Sequence, residues 1–159
     1  MKIGFTGTQI GINNKQAAAL QKLVKHFQPK EVCHGDCIGA DSFFHLIVRF
    51  NLPLTVIRIF PPVIDDKRAW CKADIVEPDG EYLDRNKKIV DATDMLLATP
   101  KEKEEQLRSG TWSTIRYAKK TNKPYIIVFP DGSLQYSLKE EYKDNGTSCC
   151  LLNSVRKDL

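Results

Sequence analysis

Read from its N-terminus, the chain alternates short apolar runs with longer stretches whose apolar residues recur at helical spacing. Ile3 to Thr6 is the first apolar run, and the GTQIG that follows marks a strand ending in a Gly-rich loop. From Asn13 or Asn14, the residues Ala17, Leu20, Leu23, Val24 and Phe27 fall on one helix face, with Asn as the cap and Pro29 as the stop. Glu31 to Cys33 predicts a short second strand, followed at once by HGDCIGAD. The next helix opens at Ala40 or Asp41 and carries Phe43, Phe44, Leu46, Ile47 and Phe50 around most of its circumference. That breadth predicts burial between other elements. After a break at Asn51 to Pro53, LTVIRIF (Leu54 to Phe60) reads as a third strand rich in β-branched residues.

Pro61 to Gly80 has adjacent prolines and scattered charges and reads as a long loop with a helical turn near Asp66 to Trp70. Loops of such length in a compact domain are usually functional or mobile. Glu81 to Asp91 is predicted helical, Asp94 to Ala98 a fourth strand, and Thr99 to Gln106 a solvated polar loop. Arg108 to Pro130 then gives a Gly-containing turn, a helix from Thr111 or Trp112, a stop at Asn122 to Pro124 and a buried strand from Tyr125 to Phe129. Beyond Pro130 the pattern weakens to a hairpin or edge strand, and fraying is expected from Asn153. Strands alternating with helices predict an α/β domain with a mainly parallel sheet and helices on both faces. We expect one domain over 1–159, with a core over 1–130 and a C-terminal extension over 131–159.

Composition narrows this little. With 42% hydrophobic and 28% charged residues in 159, the chain is long enough for a real core and ordinary for a globular protein. The net charge of +4 is carried by Lys and Arg spread along the sequence without a block of five, so charge alone gives no nucleic-acid footprint. Cysteines at 33, 37, 71, 149 and 150 are odd in number and irregular in spacing, which favours a reducing compartment. MKIGFTGTQIG holds no signal-peptide core and no apolar run approaches the ~20 residues of a membrane span, so a cytoplasmic location is expected.

Candidate chemistry lies where loops follow strands, since ligands of parallel sheets gather beyond the carboxyl ends of the strands. The first loop offers Gly7, Thr8 and Gln9, although its spacing is not that of a dinucleotide fingerprint. The second, with His34, Gly35, Asp36, Gly39 and Asp41, sets backbone donors beside two carboxylates, a mixture suited to phosphate and ribose hydroxyls. The third, with Arg108, Ser109, Gly110, Thr111 and Thr114, brings hydroxyls to a helix start where amides lack partners and the dipole is positive. Arg85 and Asn86, on the helix before the fourth strand, supply a fork of donors for an anion. Cys33, His34, Cys37 and His45 are a weak metal set without knuckle spacing, and no metal or resident cofactor is expected.

Three blocks carry a family resemblance: HGDCIGAD with its helix and LTVIRIFPP; YLDRNKKIVDATDMLLA; and RSGTWSTIRYAKKTNKPYIIVFP. In their order and spacing they resemble the SLOG superfamily, the Rossmann-like domain shared by DNA-processing protein A and the Lonely Guy phosphoribohydrolases. The resemblance implies a Rossmann-like three-layer sandwich and a nucleotide or ADP-ribose-like ligand at the carboxyl edge of the sheet, with phosphate at Ser109 to Thr111. It also implies a homo-oligomer, for which Phe43, Phe44 and Trp112 are candidate contacts. The phosphoribohydrolases pair an Arg with a Glu in Gly-Gly-x-Gly-Thr-x-x-Glu. Arg85 matches that Arg and Gly110-Thr111 the Gly-Thr, but Thr114 stands where the Glu would be. N-glycosidic hydrolysis or transfer using Asp36, Asp41 or Glu102 is therefore the second reading, and single-stranded DNA binding the third.

Overall fold

The structure, a computed structural model, describes residues 1–137. In chain order it contains β1 (Lys2–Gly7), α1 (Asn14–Phe27), β2 (Glu31–His34), α2 (Ala40–Asn51), β3 (Val56–Ile59), a 3-10 turn (Asp65–Lys67), β4 (Ile75–Val76), α3 (Tyr82–Asp91), β5 (Met95–Thr99), α4 (Gly110–Lys120), β6 (Tyr125–Val128) and β7 (Leu134–Tyr136). They form a seven-stranded sheet in the order β4-β3-β2-β1-β5-β6-β7, parallel throughout except where β7 runs antiparallel to β6. The chain winds outward from β1 to β4, then returns to lay β5 on the other side of β1. This reversal makes the β1/β5 boundary a topological switch point.

Strand alternation divides the core into two layers, as the period of two requires. Ile3, Phe5, Val32, Ile57, Met95 and Leu97 face α1 and α2, where Leu20, Val24, Phe44 and Val48 meet them. The rings of Phe5 and Phe44 stack at 4.2 Å between centroids. On the opposite face Leu96 packs with Val90 and Ala118, and Ala98 and Ile127 pack with Trp112 and Ile115, under α3 and α4. The α/β fold class with a mainly parallel sheet and helices on both faces is therefore as the alternation predicts.

Local signals explain most boundaries. Asn13 caps α1 through a reciprocal box with Gln16, whose side-chain amide also donates to the carbonyls of Pro100 and Val128 and so ties α1 to the ends of β5 and β6. Ser109 caps α4 by accepting from the Trp112 amide, which puts the helix start at Gly110 rather than Thr111 or Trp112. β3 is shorter than Leu54 to Phe60 suggests. Leu54 lies exposed in a turn, the Thr55 hydroxyl is drawn to the Pro29 carbonyl, and Pro61 brings no amide to extend the ladder. The long loop holds its turn at Asp65–Lys67, close to the expected place, and also contains β4, which pairs in parallel with β3. β7 is the edge strand anticipated after Pro130, whereas the fraying expected from Asn153 falls outside the described residues. Among the described residues no helix is long and apolar enough to cross a membrane.

Candidate functional site

The carboxyl ends of β1, β2 and β5 form one rim, with Gly7 of β1 opposite Thr99 of β5. The three glycine-bearing loops meet there. The amide of Ala40, at the start of α2, donates to the Thr8 carbonyl at 2.9 Å, so the first loop closes over the second. Gly39 permits this contact: its φ is +99°, and a Cβ there would lie 2.2 Å from the Gln9 carbonyl oxygen. Thr8 itself turns inward, its hydroxyl donating to the Gly11 carbonyl.

Arg85 lies beneath the rim. It is 2% exposed and reaches from α3 toward the β2–α2 loop, donating from Nη1 to the carbonyls of Gly35 (2.7 Å) and Phe60 (3.3 Å) and from Nη2 to Cys37 Sγ. Among the described residues its Nε has no partner and no carboxylate comes within ion-pair distance of the guanidinium. Thr99 Oγ1, also buried on this rim, is likewise unpartnered among the described residues. Buried polar groups are normally satisfied, so two such atoms at one strand edge are unusual.

Both acids of the second loop are buried and engaged within the fold. Asp36 is fully buried at φ +53°, with Oδ2 accepting from Arg68 Nε (2.7 Å) and Oδ1 from the Cys71 amide (2.8 Å). The Asp36 carbonyl also accepts from the Ala69 amide, so this residue fastens the long loop to the rim. Asp41 Oδ2 accepts from the Cys37 amide at 3.1 Å, and the Gly35 amide faces the same carboxylate. Burial pushes the Asp41 pKa up to about 6, against the pull of those amides and the nearby Arg85 charge.

The start of α4 is arranged differently. The Trp112 and Ser113 amides are taken by the Ser109 hydroxyl and carbonyl, while those of Gly110 and Thr111 have no acceptor among the described residues. The Thr114 hydroxyl folds back on the Gly110 carbonyl. Tyr82 stands against this turn: a Cβ on Gly110 would lie 1.5 Å from its hydroxyl oxygen, so only glycine admits the ring there. The same ring is 5.7 Å from the Arg85 guanidinium carbon, and the Tyr82 hydroxyl faces the Asn86 side chain. Gly7, Gln9, Gly35, Cys37, Asp41, Tyr82, Arg85 and Asn86 thus share one narrow cleft. A larger hollow of about 240 Å³ opens beyond Asn86 between α3 and α4, beside Lys87, Arg116 and Lys120. Arg108 is exposed at the end of the polar loop.

The weak metal set comes apart. Cys33 faces Glu31 and Cys37 faces Arg85, while Cys71 joins His34 and His45, with their ligand atoms within 4.8 Å of one another. The Asp36 amide donates to His34 Nδ1, which places the ring proton on Nε2 and makes it the donor to His45 Nδ1 at 3.1 Å. Burial holds His34 down at about 3 and pushes the Cys71 thiol up to about 12. His34 and His45 thus form a neutral hydrogen-bonded pair with the Cys71 thiol beside them.

Sequence reasoning missed Tyr82, Thr99 and the Arg68–Cys71 anchor. The signals were slight: an aromatic opening a helix one turn before Arg85, and a Thr closing the otherwise apolar MLLAT.

Comparison with known proteins gives the fold and no more. No family model matches the chain, and no curated protein matches it in sequence. Among solved structures it is similar to the molybdenum cofactor binding protein from Rippkaea orientalis (TM-score 0.63, 19% identity, covering 80% of this chain and 76% of that one). It is also similar to the molybdenum cofactor carrier protein from Chlamydomonas reinhardtii (TM-score 0.57, 19% identity, 79% and 74% covered) and to TM1055 (TM-score 0.55, 13% identity, 78% and 71% covered). The fold and rim define the class as a Rossmann-like α/β domain.

Proposed function

We propose that this chain is a SLOG-type module that binds a nucleotide or nucleotide-derived small molecule at the carboxyl edge of its sheet. The observation that carries the reading is Arg85, a buried cation with an unpartnered Nε and no ion-pair partner among the described residues. It shares Tyr82 as a neighbour with the open amides of Gly110 and Thr111. A buried guanidinium whose neighbouring carboxylate, Asp41, lies beyond ion-pair distance is incompletely compensated, and an anionic group bound between it and a helix start relieves that cost. In this reading Ser109, Gly110 and Thr111 hold phosphate, Arg85 and Asn86 flank it, and Gly7 and Gln9 border the rest of the ligand. Arg108 lies at the mouth. His34, Gly35, Asp36, Gly39, Asp41, Thr8 and Thr114 shape the loops. Tyr82 swings off Gly110 to admit the anion.

Calorimetry and thermal shift with AMP, ADP-ribose, NAD and cyclic nucleotides test this. The molybdenum cofactor belongs in the same panel, because two similar structures are named for it. Stabilisation by at least one phosphorylated ligand, lost in Arg85→Ala, is expected. No response from any of them overturns the proposal.

One observation favours a second reading, cleavage of an N-glycosidic bond: Asp41, with its raised pKa, borders the same cleft as Arg85, and in this reading it acts as the general acid. Release of free base from nucleoside monophosphates, abolished in Asp41→Asn, is its signature; release that survives Asp41→Asn removes Asp41 from that role.

A further inference from the structure

The sequence predicts α2 to be buried on both sides, and the structure buries one. Phe44, Ile47 and Val48 pack into the sheet, while Phe43, Leu46 and Phe50 stand 50%, 65% and 87% exposed on the outer face. Their spacing of three and then four residues is that of a coiled-coil seam, a row that meets another helix along one line. The ionisable groups of α2 all turn away from this row. Asp41 and His45 are buried, and Arg49 folds back onto Asp74 and the Thr55 carbonyl. Leu54, just past the helix end, and Ile10, next to the Gly11 that packs on the Phe43 ring, add exposed apolar surface at the two ends.

We propose that this face binds a second copy of the chain, α2 against α2 in antiparallel, about a two-fold axis near Leu46. Two observations select a second copy as the occupant. The first is symmetry: ring, aliphatic, ring reads almost the same in both directions, with Phe43 three residues before Leu46 and Phe50 four after it. A two-fold interface requires each patch to complement itself. With Leu46 on Leu46 of the other copy, Phe43 of each lies over Phe50 of its mate, the two sites being about 10 Å apart along a helix. The second is area: at 150–250 Å² for a large side chain, the exposed parts of these five residues amount to roughly 700 Å². That comes close to the roughly 800 Å² each partner contributes to a standard interface. The expected contacts are thereby revised, because Phe44 and Trp112 are core residues and only Phe43 is available.

Sedimentation equilibrium of the full chain over about 1–100 μM, with the variant Leu46→Glu/Phe50→Glu, tests the proposal. The wild type is expected to sediment as two chains, and the variant, with an unchanged circular dichroism spectrum, as one, its association weakened at least 100-fold. Because residue 46 faces its own mate across the axis, Leu46→Cys should give a disulfide-linked dimer on mild oxidation that the wild type does not. A wild type that stays monomeric at 100 μM overturns the proposal. So does a dimer that survives the double variant, or one that Leu46→Cys fails to link.

Discussion

The β2–α2 loop and the start of α4 stand on one rim, and both show glycine beside hydroxyl or carboxylate groups in sequence. In the first, the amides of Gly35 and Cys37 close on the carboxylate of Asp41, and Asp36 is held by Arg68 and the Cys71 amide. In the second, the amides of Gly110 and Thr111 find no acceptor among the described residues and an aromatic ring stands before them. One loop carries its own anion; the other leaves room for one from outside. Residue types that suit phosphate therefore do not by themselves mark a phosphate seat, and what separates the two loops is whether the chain brings a carboxylate back to its own donors. Arg85 lies between them, bonded to the first loop and unsatisfied at Nε.

Removing Arg85 should give the largest effect. Arg85→Ala leaves the Gly35 and Phe60 carbonyls without a donor and Asp41 without its nearby positive charge, and a destabilisation of about 2–4 kcal/mol is expected from chemical denaturation. Anion affinity, measured by calorimetry on the folded fraction, should fall at least 100-fold. Arg85→Lys keeps the charge but not the fork and should bind only weakly. Equal binding by wild type and both variants would assign the seat to α4 alone.

The self-satisfied loop breaks by a different route. Asp36→Asn strips the carboxylate charge from Arg68 and weakens the acceptor for Cys71, and breaking a buried pair on one side typically costs about 3 kcal/mol. The long loop should then loosen. Limited proteolysis is expected to cut between Pro61 and Gly80 in this variant well before it cuts the wild type, with anion affinity changed less than in Arg85→Ala. A variant as resistant as the wild type would mean that Asp36 does not hold the loop.

At α4 the test is a reversal of sign. Gly110→Ala forces a Cβ into the Tyr82 ring and should destabilise by about 1–3 kcal/mol, the usual range for overpacking. In a Tyr82→Ala background the three atoms nearest that Cβ are gone, and the same change should be neutral or stabilising by a few tenths of a kcal/mol, since alanine is the better helix former. Tyr82→Ala alone should tighten anion binding if the ring occupies the seat. Additive effects in the double variant would show that the ring and Gly110 do not compete for space.

How much of this was legible in the sequence follows from what periodicity encodes. β1, β2, β5, β6 and the four helices announce themselves by alternation, caps and stops, because each buries one face against a neighbour. β4 does not: Ile75 and Val76 are two residues at the sheet edge, too few to show a period. The rim was foreseeable because all three loops follow parallel strands. The direction of a side chain was not, since nothing local tells that Asp41 turns back onto the amides of Gly35 and Cys37 or that Asp36 meets an arginine far along the chain. Trp112 was misplaced for the same reason: it opens a polar helix, yet it lies on the turn that faces Ile127 and Phe129.

The finest test uses the carboxylate that the first loop keeps. Asp41 has a raised pKa of about 6, so the folded protein holds its proton more tightly than the unfolded chain does. Between about pH 4 and pH 6 the native state binds more protons, and this group's contribution to stability must decline as pH rises through that window. Glu31 and Asp74 act in the opposite sense. Asp74 is held low by the Ile57 amide and Arg49, and Glu31 by Arg58 and Lys2 against its own burial, so their contribution is lost only as pH falls below the ordinary carboxylate range. Asp41→Asn should flatten the slope between pH 4 and 6 and leave the acid limb intact. The same proton bears on binding. Protonating Asp41 removes a negative charge that interacts with Arg85, while His34, held near 3, stays neutral over this range. A ligand whose own charge is constant, such as one bridged by a pyrophosphate diester, should bind up to about tenfold more tightly at pH 5 than at pH 8, an effect of ~1.4 kcal/mol. Asp41→Asn should bind it equally at both. If instead the affinity of the wild type does not change with pH, Asp41 and the bound anion are electrostatically independent, and the two loops work as separate sites.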